Sequence, residues 1–286
     1  MSVRRRSNEG SLHTSAGKVS VIMPAFNEAT HILANVEQTV RAFIEMQYDF
    51  EIIVVDDGSN DATHLQALRS KALDPQHVRV VRYENNRGKG HALSVGVHHS
   101  CGEYVVFLDA DMELPPRQLS AFFSILAEHD ADAVIGSKFH PDSKVNYPWH
   151  RRILSYGYYI LVRTLFGLPL RDTQTGLKLF RRRLLQSALP FTTTDGFVFD
   201  VELMAVMKVI GARFADAPIT LSFKRGAGRI GLRTVLRMFV DTLRVYKRVT
   251  IASPMIRHIA HSVRLHDIGE EHEVPLILHY ESAFLT

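Results

Sequence analysis

Three groups of polar residues, each directly behind an apolar run, are the parts of this 286-residue chain equipped for chemistry. Pro24-Ala25-Phe26-Asn27-Glu28 follows Val19 to Met23, Asp56-Asp57-Gly58-Ser59 follows Ile52 to Val55, and Asp109-Ala110-Asp111-Met112-Glu113 follows Tyr104 to Leu108. Carboxylates crowded together repel and shift their pKa unless a cation or a set of donors compensates. Asp56, Asp57, Asp109 and Asp111 therefore call for a partner. Hard oxygen ligands suit Mg2+ or Mn2+, held by one or two carboxylates while water and a substrate phosphate fill the other positions. Taken singly, Asn27 and Asp61 also suit helix N-caps, and Asp57-Gly58 suits a turn.

Charge is unevenly spread. The net of +4 divides into +2 over residues 1–17, −7 over 18–140, +12 over 141–250 and −3 over 251–286. An acidic half that holds a cation, followed by a basic half that meets anions, accounts for that pattern; solvated faces alone are the plainer alternative. The Gly-rich segment Asn86-Arg87-Gly88-Lys89-Gly90 fits neither a dinucleotide fingerprint nor a Walker loop, because the third Gly and the Gly-Lys-Ser/Thr ending are missing. It reads as a tight strand-to-helix turn beside a nucleotide.

The elements that must position these residues are short β-rich runs alternating with helical patterns. Strands are predicted at Val19 to Met23, Ile52 to Val55, Val78 to Arg82, Tyr104 to Leu108 and Ala133 to Gly136. Ile32, Val36, Val40 and Phe43, and again Leu119, Phe122, Phe123 and Leu126, recur three or four apart as helices do. This alternation predicts an α/β fold: a mostly parallel, Rossmann-like central sheet covered by helices, with ligands outside the carboxyl ends of its strands. Beyond Pro148 the sequence predicts an aromatic helix (Trp149 to Phe166), a polar loop at Asp172 to Gly176, a helix near Asp200 to Ile210, a late strand at Ile219 to Phe223 and a basic Gly-rich loop, Lys224 to Gly231, suited to closing as a lid. The domain organisation read from this is a flexible basic tail (1–17), one catalytic domain (18–250) and a peripheral tail (251–286).

The three motifs Val21-Ile22-Met23-Pro24-Ala25-Phe26-Asn27-Glu28, Val54-Val55-Asp56-Asp57-Gly58-Ser59 and Leu108-Asp109-Ala110-Asp111, in that order, resemble the signatures of family-2 inverting glycosyltransferases of the GT-A fold. The resemblance runs over about residues 19–249. It implies a nucleotide-sugar donor lying on Pro24, Phe26, Asn27, Glu28, Val55, Asp56, Asp57, Lys89 and Ala110, with Asp109, Asp111 and Glu113 holding Mg2+ or Mn2+ on its diphosphate. Within that family Gly136-Ser137-Lys138, Pro148-Trp149-His150-Arg151, Asp172-Thr173-Gln174-Thr175-Gly176-Leu177-Lys178, Phe199-Asp200-Val201-Glu202 and Arg225-Gly226-Ala227-Gly228-Arg229 resemble the polyprenyl-phosphate sugar synthases, the dolichyl-phosphate mannose and glucose synthases among them. Lys138 stands where relatives usually carry Arg, which replaces a bidentate phosphate grip by a point charge.

The implied reaction moves a hexose from a nucleotide sugar to polyprenyl or dolichyl phosphate. UDP-glucose is the favoured donor and GDP-mannose the alternative. Lys138, Arg151, Arg225 and Arg229 would cradle phosphates, with Arg151 and Arg225 counted among the catalytic groups. Asp172 would act as base or acceptor-orienting group, with Asp200 and Glu202 behind it. A family-2 transferase with a soluble acceptor and a nucleotide-sugar-binding scaffold without catalysis are the rival classes.

A lipid acceptor requires a membrane. No stretch approaches the roughly 20 apolar residues of a span, and Met1 to Gly17 lacks the apolar segment of a secretory signal. Leu232, Val235, Leu236, Phe239, Val240, Leu243 and Tyr246 form a helical stripe, with Arg233, Arg237, Arg244 and Arg248 on another face. Such a C-terminal amphipathic helix suits either an anionic lipid surface or docking on the sheet. The expected location is peripheral, on the cytoplasmic membrane face, with room for an integral membrane partner. Nucleic acid is not an expected partner, since no binding fold for it accompanies the basic residues. Cys101, the single cysteine, excludes an internal disulfide and a thiolate metal cluster.

Overall fold

The computed structural model describes residues 17–111, 113–145, 149–221 and 232–267, with the side chains of 149–151, 232–235 and 260–267 outside that description. In its first half, strands and helices alternate without exception: β1 (Val19–Ala25), α1 (Ile32–Met46), β2 (Phe50–Asp57), α2 (Thr63–Leu73), β3 (Val78–Tyr83), α3 (Lys89–His98), β4 (Tyr104–Leu108), α4 (Leu119–Glu128) and β5 (Ala133–Ser137). The second half is less regular: β6 (Lys144–Val145), α5 (Trp149–Phe166), β7 (Leu177–Arg181), α6 (Arg182–Ala188), α7 (Phe199–Val209), β8 (Phe214–Pro218), β9 (Thr220–Leu221) and α8 (Leu232–Asp267).

Seven strands form one sheet in the order β3-β2-β1-β4-β7-β5-β8. All neighbours are parallel except β7, which runs antiparallel between β4 and β5. Because helices cover both faces, strands are buried on both sides, and all eight residues of β2 are buried. Alternate residues feed two cores: Val21, Met23 and Val54 pack toward Val36, Phe43 and Phe122, while Ile22, Ile53 and Val55 pack toward Leu93 and the α7 residues Val201 and Met204. Each such side chain contributes about 1.5–3 kcal/mol on burial.

The expected mostly parallel sheet and covering helices are present, with the five first strands within a few residues of their predicted limits. Two differences concern the second half. The segment read as the end of a polar loop continues into β7, and a strand that the sequence did not predict, β8, precedes the late strand expected at 219–223, of which the structure shows β9 at Thr220–Leu221 while 222 and 223 lie outside the described residues. Lys144 and Val145 of β6 pair with Thr220 and Leu221 of β9 in a separate parallel ribbon.

α8 runs unbroken for 36 residues through Pro254, so 251–267 are helix where the sequence suggested a tail without periodicity. Its inner face, Thr242, Val245, Val249 and Ile256, is buried against α7. Leu236, Phe239, Val240 and Leu243 of the predicted stripe stay exposed, Leu236 at 63%. The helix therefore docks with one face and leaves a second apolar face outward. Residues 1–16, the predicted lid and the candidates Arg225 and Arg229 lie outside the described residues.

Candidate active site

The carboxyl ends of β1, β2 and β4 lie side by side, and short hydrogen bonds join the loops behind them. Asn27, with a left-handed φ of 55°, accepts from the Asn60 amide at 3.0 Å, and its own amide donates to Ser59 Oγ at 3.0 Å. The Glu28 amide donates to Thr63 Oγ1 at 2.7 Å. Asp61 accepts from the Thr63 amide at 2.9 Å in a local turn, but the N-cap position of α2 is Ala62 and that of α1 is His31, so neither Asp61 nor Asn27 is the helix cap expected; Asn27 instead ties one loop to the other. Phe26 is 41% exposed at the mouth, and Pro24 and Glu28 are half-buried beside it. The Val55 side chain is sealed in the core, so only its backbone is available to a ligand.

Asp56 and Asp57 are both buried, with distinct partners. Asp56 Oδ1 accepts from the Ser59 amide at 3.0 Å, and Oδ2 stands 3.5 Å from Arg82 Nε and 3.6 Å from His64 Nδ1. Asp57 receives Tyr83 Oη at 2.7 Å and the Arg87 amide at 2.8 Å on Oδ1, and the Gly88 amide and Asn86 Nδ2, both at 2.9 Å, on Oδ2. Four donors compensate its charge, so Asp57 needs no metal. It clamps the turn that carries Lys89. Gly88 is required there: φ is +100°, and a Cβ would lie 2.6 Å from the Asp195 carbonyl oxygen. The Gly90 amide donates to that same oxygen at 2.9 Å.

The clamped turn delivers Lys89, first residue of α3, to Asp109, with Nζ 2.5 Å from Oδ1. Burial opposes ionisation of Asp109, but Lys89, then Lys178 and Lys138, outweigh it and hold the carboxyl below the ordinary aspartate range. Burial likewise depresses the Lys89 amine, and Asp109, Asp200 and Asp111 overcome that and raise it above the usual lysine value. The Asp109 amide donates to the Gly176 carbonyl at 3.3 Å, and a Cβ on Gly176 would run into the Asp109 carboxylate. Ala110 is buried, and its carbonyl accepts from the Asn35 side-chain amide of α1. Asp111 Oδ1 accepts from the Glu113 amide at 3.1 Å.

Two further lysine-aspartate pairs continue along the same edge. Lys178, fully buried on β7 between Phe107 and Ile135, reaches Asp200 Oδ1 at 2.9 Å and donates to the Thr175 carbonyl at 2.5 Å. Burial, with Lys89 adding to it, holds this amine below the usual lysine range. Lys138, one residue beyond β5, stands 3.2 Å from Asp172 Oδ2. Asp172 also accepts from Thr175 Oγ1 at 2.7 Å and the Gln174 amide at 3.0 Å. Burial raises the pKa of Asp172, but Lys138 and these donors bring it below the ordinary value, which makes the group a weak base and a firm anchor.

Of the expected site residues, the structure thus brings together Asp109, Ala110, Lys89, Asp200, Lys138 and Asp172. Glu202 stands apart: Oε2 accepts the Thr193 and Thr194 amides at 3.1 and 2.8 Å, and Oε1 accepts Arg248 Nε at 3.0 Å, so it fastens α7 to α8. Of Arg151 only the backbone, in the first turn of α5, is described. Asn35 is a site residue that the sequence did not single out, and Gly176 and Lys178 stood only within a motif, with no role assigned; an uninterrupted Leu-Lys-Leu-Phe run was the available signal for a lysine inside a strand.

The donor set fits a hard divalent cation, with carboxylate oxygens on Asp109 and Asp111 and a side-chain-free Gly176 preserving the room for one of them. Among the described residues no three His, Cys, Asp or Glu come together to hold a metal, so Glu113, expected beside Asp109 and Asp111, does not form a three-carboxylate cluster with them. Attachment through one or two carboxylates, with water and phosphate oxygens completing the shell, is the usual Mg2+ arrangement.

The chain is similar to known proteins. The chain is 28% identical over 239 residues to dolichyl-phosphate beta-glucosyltransferase of Dictyostelium discoideum, covering 79% of this chain and 73% of that one. The Saccharomyces cerevisiae enzyme of the same name is 28% identical over 253 residues, covering 82% and 73%. Glycosyltransferase AglD of Haloferax volcanii is 30% identical over 254 residues, but this chain spans 40% of its length. Among solved structures, glucosyl-3-phosphoglycerate synthase of Mycobacterium tuberculosis, in complex with Mn2+, UDP-glucose and phosphoglyceric acid, superposes with a TM-score of 0.62 at 22% identity, covering 82% and 80%. It shares the fold, as the GT-A expectation required. The model of the family described as glycosyl transferase family 2 matches residues 20–189, more than half the chain and the loops behind β1, β2 and β4, and the chain belongs to that family.

Proposed function

We propose that the protein transfers glucose from UDP-glucose to dolichyl or a related polyprenyl phosphate, inverting the anomeric centre. The observation that carries this reading is the placement of two cationic grips, Lys89 and Lys138, on one sheet edge, each already matched to an aspartate. A reaction joining a diphosphate donor to a phosphate acceptor requires two such grips, and relatives over most of the chain are named for glucosyl transfer to dolichyl phosphate.

In this reading the nucleoside lies on Pro24, Phe26, Asn27, Glu28 and the backbone of Val55, with Asp56 and Asp57 shaping the loops beneath it. Asp109 and Asp111 would hold Mg2+ or Mn2+ for the diphosphate. The bound cation supplies Lewis-acid neutralisation of the charge that develops on the leaving group. Lys89 adds a donor to the same oxygens. Lys138, with Arg151, Arg225 and Arg229, draws in the acceptor phosphate, and Asp172 orients Lys138. A phosphate monoester has its second pKa near 6, so its oxygen attacks C1 as the bond to the diphosphate breaks and no proton need be removed. A weakly basic Asp172 suits that chemistry.

The acceptor's lipid chain brings the enzyme to a membrane surface. Among the described residues no helix is long and apolar enough to cross a bilayer. Ile153 and Ile160 of α5 and Leu236 and Leu243 of α8 are 40–63% exposed, and Arg152, Arg237 and Arg244 accompany them. Apolar side chains beside arginines suit an anionic leaflet, on the cytoplasmic face where nucleotide sugars are supplied. A soluble acceptor is the second reading, favoured by the phosphoglyceric acid in the M. tuberculosis complex. Purified protein, Mg2+ and polyprenyl-phosphate vesicles, incubated with labelled UDP-glucose or GDP-mannose, are expected to put label from UDP-glucose into the lipid fraction. Label from GDP-mannose alone, or only in soluble products, overturns the reading.

A further inference from the structure

We infer that Lys89 is the resident counter-ion of Asp109 and competes with the divalent cation for it, so that the cation gains its carboxylate only when the donor diphosphate draws the lysine away. The inference rests on the donor site proposed above, and adds to it an order of events.

The geometry carries it. Lys89 Nζ lies 2.5 Å from Asp109 Oδ1, on the carboxylate that opens the Asp109-Ala110-Asp111 segment. That oxygen cannot present the same lone pair to an ammonium and a metal ion. The backbone of Lys89 does not drift: Asp57 holds the amides of Arg87 and Gly88, Asp195 holds that of Gly90, and Phe199 closes over Gly90. Only the flexible four-carbon stem of the lysine is left to move, and about a third of each side chain is exposed, Lys89 at 35% and Asp109 at 33%. The exchange needs no rearrangement of the loops.

Charge balance points the same way. Lys89, Lys138 and Lys178 face Asp109, Asp172 and Asp200 one to one, and Asp111 adds a single further negative charge near Lys89. A divalent cation entering alone leaves this cluster with an excess of positive charge in a partly desolvated site. A cation entering with a diphosphate restores the balance, and the displaced lysine finds phosphate oxygens as new acceptors. Cation and diphosphate binding are then coupled, each tightening the other by the same factor.

Binding of Mn2+ to the full chain, followed by the loss of the free-ion electron paramagnetic resonance signal, tests this without turnover. Wild-type protein is expected to bind Mn2+ weakly alone and at least about tenfold more tightly with UDP present. Lys89→Met, which keeps the stem and removes the charge, is expected to bind Mn2+ alone about tenfold more tightly than wild type. Lys89→Arg, which keeps a cation, is expected to match wild type, and Lys89→Met combined with Asp109→Asn to lose the gain. If Lys89→Met and wild type bind Mn2+ alone equally while UDP still tightens both, the counter-ion inference is overturned and the donor site stands. If no protein binds Mn2+ with or without UDP or GDP, both fall.

Discussion

The two ion pairs Lys178–Asp200 and Lys89–Asp109 are built from the same residue types on the same sheet edge, yet they differ in solvent access. The side chains of Lys178 and Asp200 are 1% and 8% exposed, against 35% and 33% for Lys89 and Asp109. A sealed pair is not exchanged for a ligand without leaving a buried charge, so it fixes α7 against β7. A half-open pair has little to lose when a better partner arrives. The site thus separates a permanent clamp from an exchangeable one by burial alone.

The largest expected effect comes from breaking the sealed pair. Lys178→Met leaves Asp200 unpaired and is expected to cost about 3–5 kcal/mol of stability by denaturant unfolding, whereas Lys89→Met costs less than about 1 kcal/mol while abolishing most turnover. Equal losses in the two variants would erase the distinction. Adding Asp200→Leu to Lys178→Met is expected to recover part of the loss, because it removes the stranded charge.

Next in size is Gly176→Ala. Its methyl group displaces the Asp109 carboxylate, and a shift of about 1 Å at a reacting group costs on the order of 100-fold in kcat/KM, with the melting temperature little changed. A large fall in melting temperature with activity per folded molecule intact would show that Asp109 tolerates the shift. Asn35→Ala unhooks the Ala110 carbonyl from α1 and is expected to lower stability by about 1–3 kcal/mol and raise the KM for the sugar nucleotide more than it lowers kcat.

Asp216 sharpens the comparison from the other side, as a carboxyl with the Arg171 amide, at 3.3 Å, in place of a lysine. Burial pushes its pKa from 3.8 up to about 6. A raised native pKa means that the folded chain binds the proton more tightly, so stability falls as pH rises from about 4 to about 6 and stays reduced above that. Asp216→Asn is therefore expected to be the more stable form at pH 7, by on the order of 1 kcal/mol once partial exposure is allowed for, and to lose its advantage near pH 4. A gain that is the same at both pH values rules out the titration.

What the sequence made legible was local. The apolar runs ending in Val55 and Leu108 placed the carboxylates at strand ends, and the stripe from Ile32 to Phe43 placed α1, because periodicity and turn chemistry act over a few residues. Partners distant in sequence were hidden. Asn35 meets Ala110 across 75 positions and Glu202 meets Arg248 across 46. Nothing in either neighbourhood announces the other. β7 was obscured by its own lysine, which a buried strand tolerates only because Asp200 arrives from α7 to neutralise it. α8 past residue 250 was obscured by Pro254 and by two apolar faces that together mask a single helical period.

The reversed direction of β7 has a mechanical consequence. In a wholly parallel sheet each strand offers the reactive edge its end; here β7 offers its beginning, and residues 172–178 lie along that edge before the chain turns inward. This one short segment holds Asp172 against Lys138 at one end, Gly176 against Asp109 in the middle and Lys178 against Asp200 at the other. It behaves as a ruler with three marks and no slack. A single inserted or deleted residue there would put both substrates out of register at once, whereas the same lesion in the loop behind β1 would disturb the nucleoside alone.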